Sequence, residues 1–194
     1  MKLNSLMVAS LAGVLSMSSA FTQAQSISHD FLNITSSSSD SLIRKQQIED
    51  QKIVGIIMTV DHNEMEAADE VKGKKVSKKV RRYAVYLHRQ HAANLKALMK
   101  LVKTTGLQPS TSQISTKLTK DGQQGLSTLT ALNDKTFETA YIDAMIQGHK
   151  AGLQLIDTNL LKNVTNPKLK VFVKQTRVMV AHHLQKALKI QKGL

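Results

Sequence analysis

The stretch FETAYIDAMIQGHKAGLQLID, Phe137 to Asp157, places His149 in the middle of a helical pattern. Apolar residues recur around this histidine at intervals of three and four, which is the period of an amphipathic helix. The same spacing appears in three other segments, so the sequence predicts four helices of about 27 to 32 residues. No segment shows the alternation of a β-strand. The predicted fold is therefore all-α, a four-helix bundle.

The lengths of the connections predict how the helices are joined. The predicted helices cover residues 41–72, 76–105, about 134–161 with Asp134 as the amino-terminal cap, and from 167 onward. Short connections make the first two and the last two antiparallel pairs. The segment 107–133 shows two helical patches, 114–120 and 126–132, broken at Asp121-Gly122. It is long enough to run back along the bundle, as the crossover of ferritin-like bundles does.

The amino-terminal residues have the organisation of a secretory signal peptide. Met1-Lys2 is basic, Leu6 to Leu15 is apolar, and small residues follow near positions 20 and 24. We therefore expect a signal peptide over residues 1–20, cleaved near 20 or 24, a flexible serine-rich tail over 21–40, and the bundle over 41–194. The apolar run is shorter than the about 20 residues of a membrane span. The predicted location is periplasmic or secreted.

The chain is basic and contains no cysteine, which excludes disulfides and thiolate chemistry. It has 27 Lys and Arg against 14 Asp and Glu, a net charge of +13, and no acid between Val71 and Lys120 or after Asp157. Such a surface attracts membrane headgroups or other polyanions, although a solvated basic face is an alternative. Nucleic acid is not favoured, because no stacking aromatics accompany the lysines. The candidate polyanion-binding residues are Lys72, Lys74, Lys75, Lys78, Lys79, Arg81, Arg82 and Arg89.

The apolar residues spaced three and four apart form a stripe along one face of each predicted helix. Each of these stripes contains one polar residue. These residues are Glu64, His91, His149 and His183. With a rise of about 1.5 Å per residue, His91 and His149 share a level if their helices are parallel. The same counting places His183 opposite Met145, about one turn from His149. It places Glu64 near Val85, so that His88 is better placed than His91 to contact Glu64.

Three imidazoles beside a methionine, Met145, favour copper or zinc as the metal. A di-iron centre is disfavoured, because it needs Glu-x-x-His motifs and the chain contains none. The alternative is a buried hydrogen-bonded network, for which Tyr83, Tyr86, Tyr141 and Thr176 are available. No catalytic motif of a known class is present, so the sequence favours a non-enzymatic protein.

Three ordered stretches carry a family resemblance: RRYAVYLHRQHAANLKAL (Arg81 to Leu98), the stretch around His149, and VAHHLQKALKI (Val180 to Ile190). With DHNEMEAADEV (Asp61 to Val71), they resemble the domain-of-unknown-function 4142 family over most of the chain. The resemblance implies an exported bacterial protein, often labelled a predicted outer-membrane protein, with a ferritin-like bundle and no assigned activity. The stretch around His149 is also similar to a related histidine-rich exported family associated with metal handling.

Two departures from the family pattern affect the candidate site. The family usually has Asp-His in its second helix, where this chain has Gln90-His91. It usually opens the third helix with Phe-Asp, where Phe137-Glu138 stands here. The first departure removes a carboxylate beside His91, and the second retains one, which makes Glu138 a further candidate ligand.

These observations lead to two functional hypotheses. The first is an exported, non-enzymatic bundle that binds a metal ion through the stripe histidines. Its candidate ligands are His91, His149, His183, Glu64, His88, Glu138 and Met145. The second is a secreted or periplasmic interaction protein whose basic helices bind anionic surfaces. No protein partner is predicted.

Overall fold

Helices account for nearly all of the computed structural model, which describes residues 31–194 and their side chains from residue 39. No strand occurs within this range. The elements are α1 (Phe31–Glu70), a 3₁₀ turn (Val71–Gly73), α2 (Lys78–Thr105), α3 (Gln113–Thr130), α4 (Asp134–Leu155), a π-helical turn (Ile156–Leu160), α5 (Leu161–Asn163) and α6 (Pro167–Gln191).

Local capping explains where α2 and α6 begin and where α2 ends. The Ser77 hydroxyl accepts a hydrogen bond from the amide of Val80 at the start of α2. At the other end, Gly106 adopts φ 72°, a left-handed conformation that glycine accepts without a steric penalty. Asn166 caps α6 through its side-chain oxygen, and Pro167 occupies the first helical turn. Gly106 and Asn166-Pro167 are both recognisable in the sequence as signals of a helix end and a helix start.

The polypeptide has the predicted pairing of helices. The amide of Ser77, before α2, donates to Glu138 in the first turns of α4 at 2.9 Å, so α2 and α4 start at the same end of the bundle. Near the opposite end, Asp50 of α1 accepts from the amides of Thr165 and Asn166, just before α6. The all-α fold with a crossover between the second and third long helices is confirmed.

The first helix starts earlier than predicted. It begins at Phe31 rather than near Ser41, so residues 31–40 of the expected flexible tail are helical. No glycine or proline occurs from Phe31 to Val54, and serine lowers helix propensity by only a few tenths of a kcal/mol per residue. Residues 41–194 form one compact unit. The predicted signal peptide and residues 21–30 lie outside the described part of the chain.

The crossover contains one helix where two short patches were predicted. α3 continues through Asp121-Gly122. A side-chain carbon at Gly122 would overlap the amide group of Asn63 on α1, and the Asn63 Nδ2 donates to the carbonyl of Leu118 at 2.9 Å. Gly122 therefore permits close packing of α3 against α1 and does not end the helix.

The third long helix differs from its prediction at both ends. Asn133, not Asp134, occupies the capping position, and Asp134 is the first helical residue. At the carboxyl end the helix changes to a π-helical turn, Ile156–Leu160, which adds residues before the turn to α6. This insertion shifts the register of α6 relative to α4.

The buried side chains form two apolar clusters separated by a polar layer. One cluster lies towards the Asp50 end and includes Ile57, Leu98, Ile156 and Val180. The other lies towards the Ser77 end and includes Ala68, Leu87, Met145 and Ala187. On every long helix of residues 41–194, the chain passes from one cluster to the other through a buried polar residue: Asp61, His91, His149 and His183. Within the described residues, no helix is long and apolar enough to cross a membrane.

Candidate metal centre

Three imidazoles meet in the polar layer between the apolar clusters. His91, His149 and His183 are 1%, 2% and 0% exposed. Their ring centroids lie 6.3 Å apart for the first two, 5.0 Å for His91 and His183, and 5.3 Å for His149 and His183. One nitrogen from each ring lies within 4.8 Å of the other two. The rings come from α2, α4 and α6.

The orientation of His91 is fixed by a carboxylate on α1. Nδ1 of His91 donates to Oδ1 of Asp61 at 2.8 Å. The amide of Asn94 donates to both carboxylate oxygens of Asp61, at 3.2 and 2.9 Å, and the Thr176 hydroxyl donates to Asn94 at 3.1 Å. Burial raises the pKa of Asp61, against the lowering effect of His91 and Asn94. This chain of hydrogen bonds leaves Nε2 of His91 as an acceptor.

The orientation of His149 is fixed within its own helix. Its Nδ1 lies 2.6 Å from the carbonyl oxygen of Met145, one turn earlier. A carbonyl only accepts hydrogen bonds, so Nδ1 carries the proton and Nε2 has the lone pair. Nε2 of His149 is buried and has no hydrogen-bond partner within residues 39–194. Two of the three imidazoles therefore present an unprotonated Nε2 to the layer.

His183 is the most unusual of the three, because both of its ring nitrogens are buried without a hydrogen-bond partner in the described part of the chain. Burial, the neighbouring His91 and His149, and the charge of Lys186 lower the pKa of His183 to about 2. The ring is thus neutral. A buried polar group without a partner costs about 1 to 3 kcal/mol, so this arrangement reduces the stability of the fold.

The tyrosines that were candidates for a hydrogen-bonded network do not bond the imidazole nitrogens. The Tyr83 hydroxyl donates to the backbone carbonyl of His183 at 3.0 Å. Tyr86 meets the His183 ring edge to face at 5.3 Å between centroids. The Tyr141 hydroxyl is buried and has no partner among residues 39–194. Burial and the charge of Glu64 raise the pKa of Tyr83 and Tyr141, so both phenols stay protonated. A buried hydrogen-bonded network therefore explains the position of His91, which bonds Asp61. It does not explain the burial of His183, whose ring nitrogens have no partner in residues 39–194.

A small chamber of about 40 Å³ opens beside the histidines. Its wall includes His91, His149 and Glu64, and its remaining lining is mostly apolar. Oε2 of Glu64 is buried and has no hydrogen-bond partner in residues 39–194. Gly148 and Gly152 also line the chamber, and a side-chain carbon at Gly148 would come within 3.6 Å of the Glu64 carboxyl group. A chamber of this size holds a molecule of about one to three non-hydrogen atoms.

Two features of the predicted register are corrected by the structure. His183 lies beside His149, with 5.3 Å between the ring centroids, rather than level with Met145. Asp61 contacts His91, whereas the prediction placed Glu64 near Val85. The extended residues before Ser77 lengthen the first hairpin and move α1 along α2. Glu64 thereby reaches the same chamber as His91.

Three further candidate ligands lie elsewhere or take another role. His88 is 40% exposed and lies 3.4 Å from Asp69, not beside Glu64. Glu138 accepts from Ser77 at the end of the bundle. Burial raises its pKa, but the hydrogen bonds with Ser77 and the charge of Lys135 outweigh burial and lower it overall. Met145 packs in an apolar cluster, and its carbonyl orients His149.

The candidate polyanion-binding residues differ in their contacts. Lys74 is half-buried and donates to the carbonyls of Thr130 and Leu132, and Arg81 donates to three carbonyls of residues 71–74. Lys72 pairs with Asp69 at 2.7 Å. Lys79 and Arg82 line an open cleft. The others are exposed: Lys75, Lys78 and Arg89.

Sequence reasoning missed Asp61 and Asn94 as residues that orient the site. The spacing of Ile53, Ile57, Val60 and Val71 predicts an apolar stripe that includes Val60. The structure instead buries Asp61 and leaves Val60 half-buried. Positions 57, 61, 64 and 68 have the same three-and-four spacing as the predicted stripe. Asp61 occupies one of these positions, and a carboxylate on an inward stripe is the sequence signal that could have identified it as a site residue.

The family assignment agrees with the helical architecture. Residues 36–190 match the family described as "Domain of unknown function (DUF4142)". The chain belongs to the DUF4142 family. No curated protein sequence shows significant similarity to this DUF4142 protein.

A solved structure has a similar fold. It is described as the crystal structure of a DUF305 fragment from Deinococcus radiodurans, at a TM-score of 0.65 and 14% sequence identity. The similarity covers 75% of this DUF4142 chain and 97% of the fragment. At this identity the likeness concerns the fold alone.

Proposed function

We propose that this DUF4142 protein binds a single transition-metal ion through His91, His149 and His183. The observation that carries the proposal is the convergence of three buried imidazoles with unsatisfied nitrogens. A metal ion satisfies one nitrogen of each ring at once and offsets the cost of burying them without partners. The hydrogen bonds to Asp61 and to the Met145 carbonyl support this role, because metal-bound histidines generally donate their other N–H to such acceptors.

The donor set favours zinc or copper. Neutral imidazoles suit zinc and copper better than the hard cations calcium and magnesium, which prefer oxygen ligands. Zinc–nitrogen bonds of about 2.0 to 2.1 Å place three ligand nitrogens about 3.3 Å apart. The three nitrogens lie within 4.8 Å of one another, so small side-chain rotations bring them to that spacing. Two carboxylates line the chamber, Asp61 and Glu64. Asp61 is already bonded to His91, and Glu64 alone does not supply the several carboxylates that a di-iron centre uses.

The chamber beside the histidines leaves one side of the proposed site open. Three protein ligands with a free position are typical of zinc sites that bind water or a small molecule. Glu64 lines that side with a buried carboxylate oxygen that has no hydrogen-bond partner in residues 39–194. Glu64 therefore acts as a fourth ligand or as the acceptor for a small molecule bound there. We place this function in the exported compartment predicted from residues 1–20.

Metal titration of the full chain tests the proposal. After treatment with a chelator, the protein is titrated with Zn²⁺ and with Cu²⁺ by calorimetry, and bound metal is counted by elemental analysis. We expect one ion per chain, lost in His149→Gln and retained in His62→Gln, an exposed histidine on α1. Binding that is absent in the wild type, or that both variants lose equally, overturns the proposal.

A further inference from the structure

A second polar feature lies on the outer surface, where α2 and α6 run side by side. Four cationic side chains, Lys79 and Arg82 of α2 and Lys186 and Lys189 of α6, surround an open cleft of about 330 Å³. The cations of each helix are three residues apart, so they share one face of it. The cleft volume is within the range of small-molecule sites.

The four cations have no carboxylate partner within residues 39–194. None of them takes part in an ion pair, and neither helix contains an acidic residue. Two carboxylates at this end of the bundle have other partners. Glu138 accepts from Ser77 and lies 3.6 Å from Lys135, and Asp143 accepts from Gln191 at 2.7 Å. Four like charges therefore face one another across the cleft, and their repulsion favours an anionic ligand.

One wall of the cleft is aromatic. Tyr83 is buried and half-buried Tyr86 lies one turn further along α2. The Lys186 ammonium lies 4.9 Å from the centre of the Tyr86 ring. On its other side Tyr86 contacts the ring of His183. These contacts hold one wall of the cleft in place and shield that side from solvent, which strengthens the attraction of an anion to the lysines.

We infer that this cleft binds a phosphoryl group, as a phosphate ester or a phospholipid headgroup. Several cations from two helices suit a compact anion with three or more acceptor oxygens better than a single carboxylate. The guanidinium of Arg82 offers paired N–H donors with the geometry of two phosphate oxygens. The lysines add flexible point charges on the other sides. The cleft shares no lining residue with the chamber beside the histidines, and the inference does not rest on metal binding.

The test compares two double variants that remove the same charge. Lys186→Gln/Lys189→Gln lies in the cleft, and Lys96→Gln/Lys100→Gln lies on exposed positions of α2 outside it. Each lowers the net charge by two and keeps most of the side-chain length. Glycerol phosphate is titrated by NMR, and binding to vesicles is measured with phosphatidylcholine alone and with added phosphatidylglycerol, at low and at physiological salt.

We expect the cleft variant to bind about tenfold more weakly or worse than the wild type, and the control to stay within about twofold, because distant exposed charges are screened. Loss of glycerol phosphate binding in the cleft variant supports a soluble phosphate ester. Loss of phosphatidylglycerol-dependent vesicle binding in that variant supports a lipid headgroup. The inference is overturned if the two double variants weaken binding equally in both the glycerol phosphate titration and the vesicle measurement. It is also overturned if the wild type binds neither ligand.

Discussion

Asp61 of α1 accepts a hydrogen bond from Nδ1 of His91 of α2 at 2.8 Å, with both side chains only 1% exposed. The bond joins the two helices of the first hairpin through the polar layer. It also fixes the tautomer of His91, so that Nε2 keeps its lone pair. A carboxylate in this position increases the basicity of a metal-bound imidazole. The carboxylate absent at position 90 is thus supplied from another helix.

Asp61→Asn should lower the affinity for Zn²⁺ by about 10- to 100-fold, the usual cost of losing a residue that orients a metal ligand. Asparagine keeps the size of the side chain but not its charge. Calorimetric titration measures the change, and Glu66→Gln, an exposed carboxylate on the same helix, is the control. If Asp61→Asn lowers the melting temperature while the affinity for zinc stays unchanged, Asp61 stabilises the fold but does not contribute to metal binding.

His183→Leu should stabilise the metal-free protein and abolish its stabilisation by zinc. Both ring nitrogens of His183 are buried without partners in residues 39–194, and leucine has a similar volume with no polar atom. The expected gain is about 1 to 2 kcal/mol. Thermal unfolding with and without Zn²⁺ measures both effects. His182→Leu changes an exposed neighbour and should retain the zinc-dependent shift, whereas a destabilised His183→Leu would favour a structural role for the imidazole.

Mild acid should destabilise the metal-free protein through His183. The pKa of this buried histidine falls from 6.5 to about 2 in the folded state. Below about pH 6.5 the unfolded chain binds a proton that the folded chain excludes, so stability falls progressively as the pH decreases towards 2. At about pH 5 the loss is about 2 kcal/mol relative to neutral pH. Urea unfolding at both pH values measures it, and a wild-type dependence identical to that of His183→Leu would contradict this cause.

The fold could be predicted from hydrophobic periodicity and from helix-capping residues, because both are local properties of the sequence. Three-and-four spacing identified the helices, and Gly106 and Asn166 marked ends that the structure confirms. The predictions of helix boundaries were wrong where contacts between helices determine whether a helix continues. Gly122 was interpreted as a break in a helix, although its role is to admit Asn63 of α1. The π-helical turn at Ile156–Leu160 has no local signal in the sequence.

The candidate site was predictable only in part, because its geometry depends on register. Residue spacing predicted that His91, His149 and His183 lie on the inward stripes of their helices, and the structure brings the three rings together. Residue spacing did not predict which groups form hydrogen bonds with these rings. A shift of about one residue in the choice of stripe determines whether Val60 or Asp61 faces inward on α1, and apolar spacing favoured Val60. Counting residues from the turn before α6 placed His183 level with Met145, whereas the structure places its ring 5.3 Å from that of His149.

Asp50→Ala should destabilise the fold by about 3 kcal/mol. The Asp50 carboxylate is buried and accepts three hydrogen bonds, from the amide and hydroxyl of Thr165 and the amide of Asn166. The substitution leaves these donors without their partner at the start of α6. Chemical unfolding measures the loss. Asp157→Ala is the comparison, because Asp157 forms a solvent-exposed pair with Arg177, and exposed ion pairs contribute little to stability.

Gly55→Ala and Gly125→Ala should change stability in opposite directions. A side-chain carbon at Gly55 would overlap the backbone carbonyl of Ser110, whose amide donates to Gln51 at 3.1 Å. The backbone cannot move away without losing that bond, so we expect a loss of about 2 kcal/mol. A carbon at Gly125 of α3 meets nothing within 4 Å, and alanine is favoured over glycine in a helix by about 1 kcal/mol. Chemical unfolding of the two variants checks both signs, and a stable Gly55→Ala protein would show that the residue 107–112 segment is not held against α1.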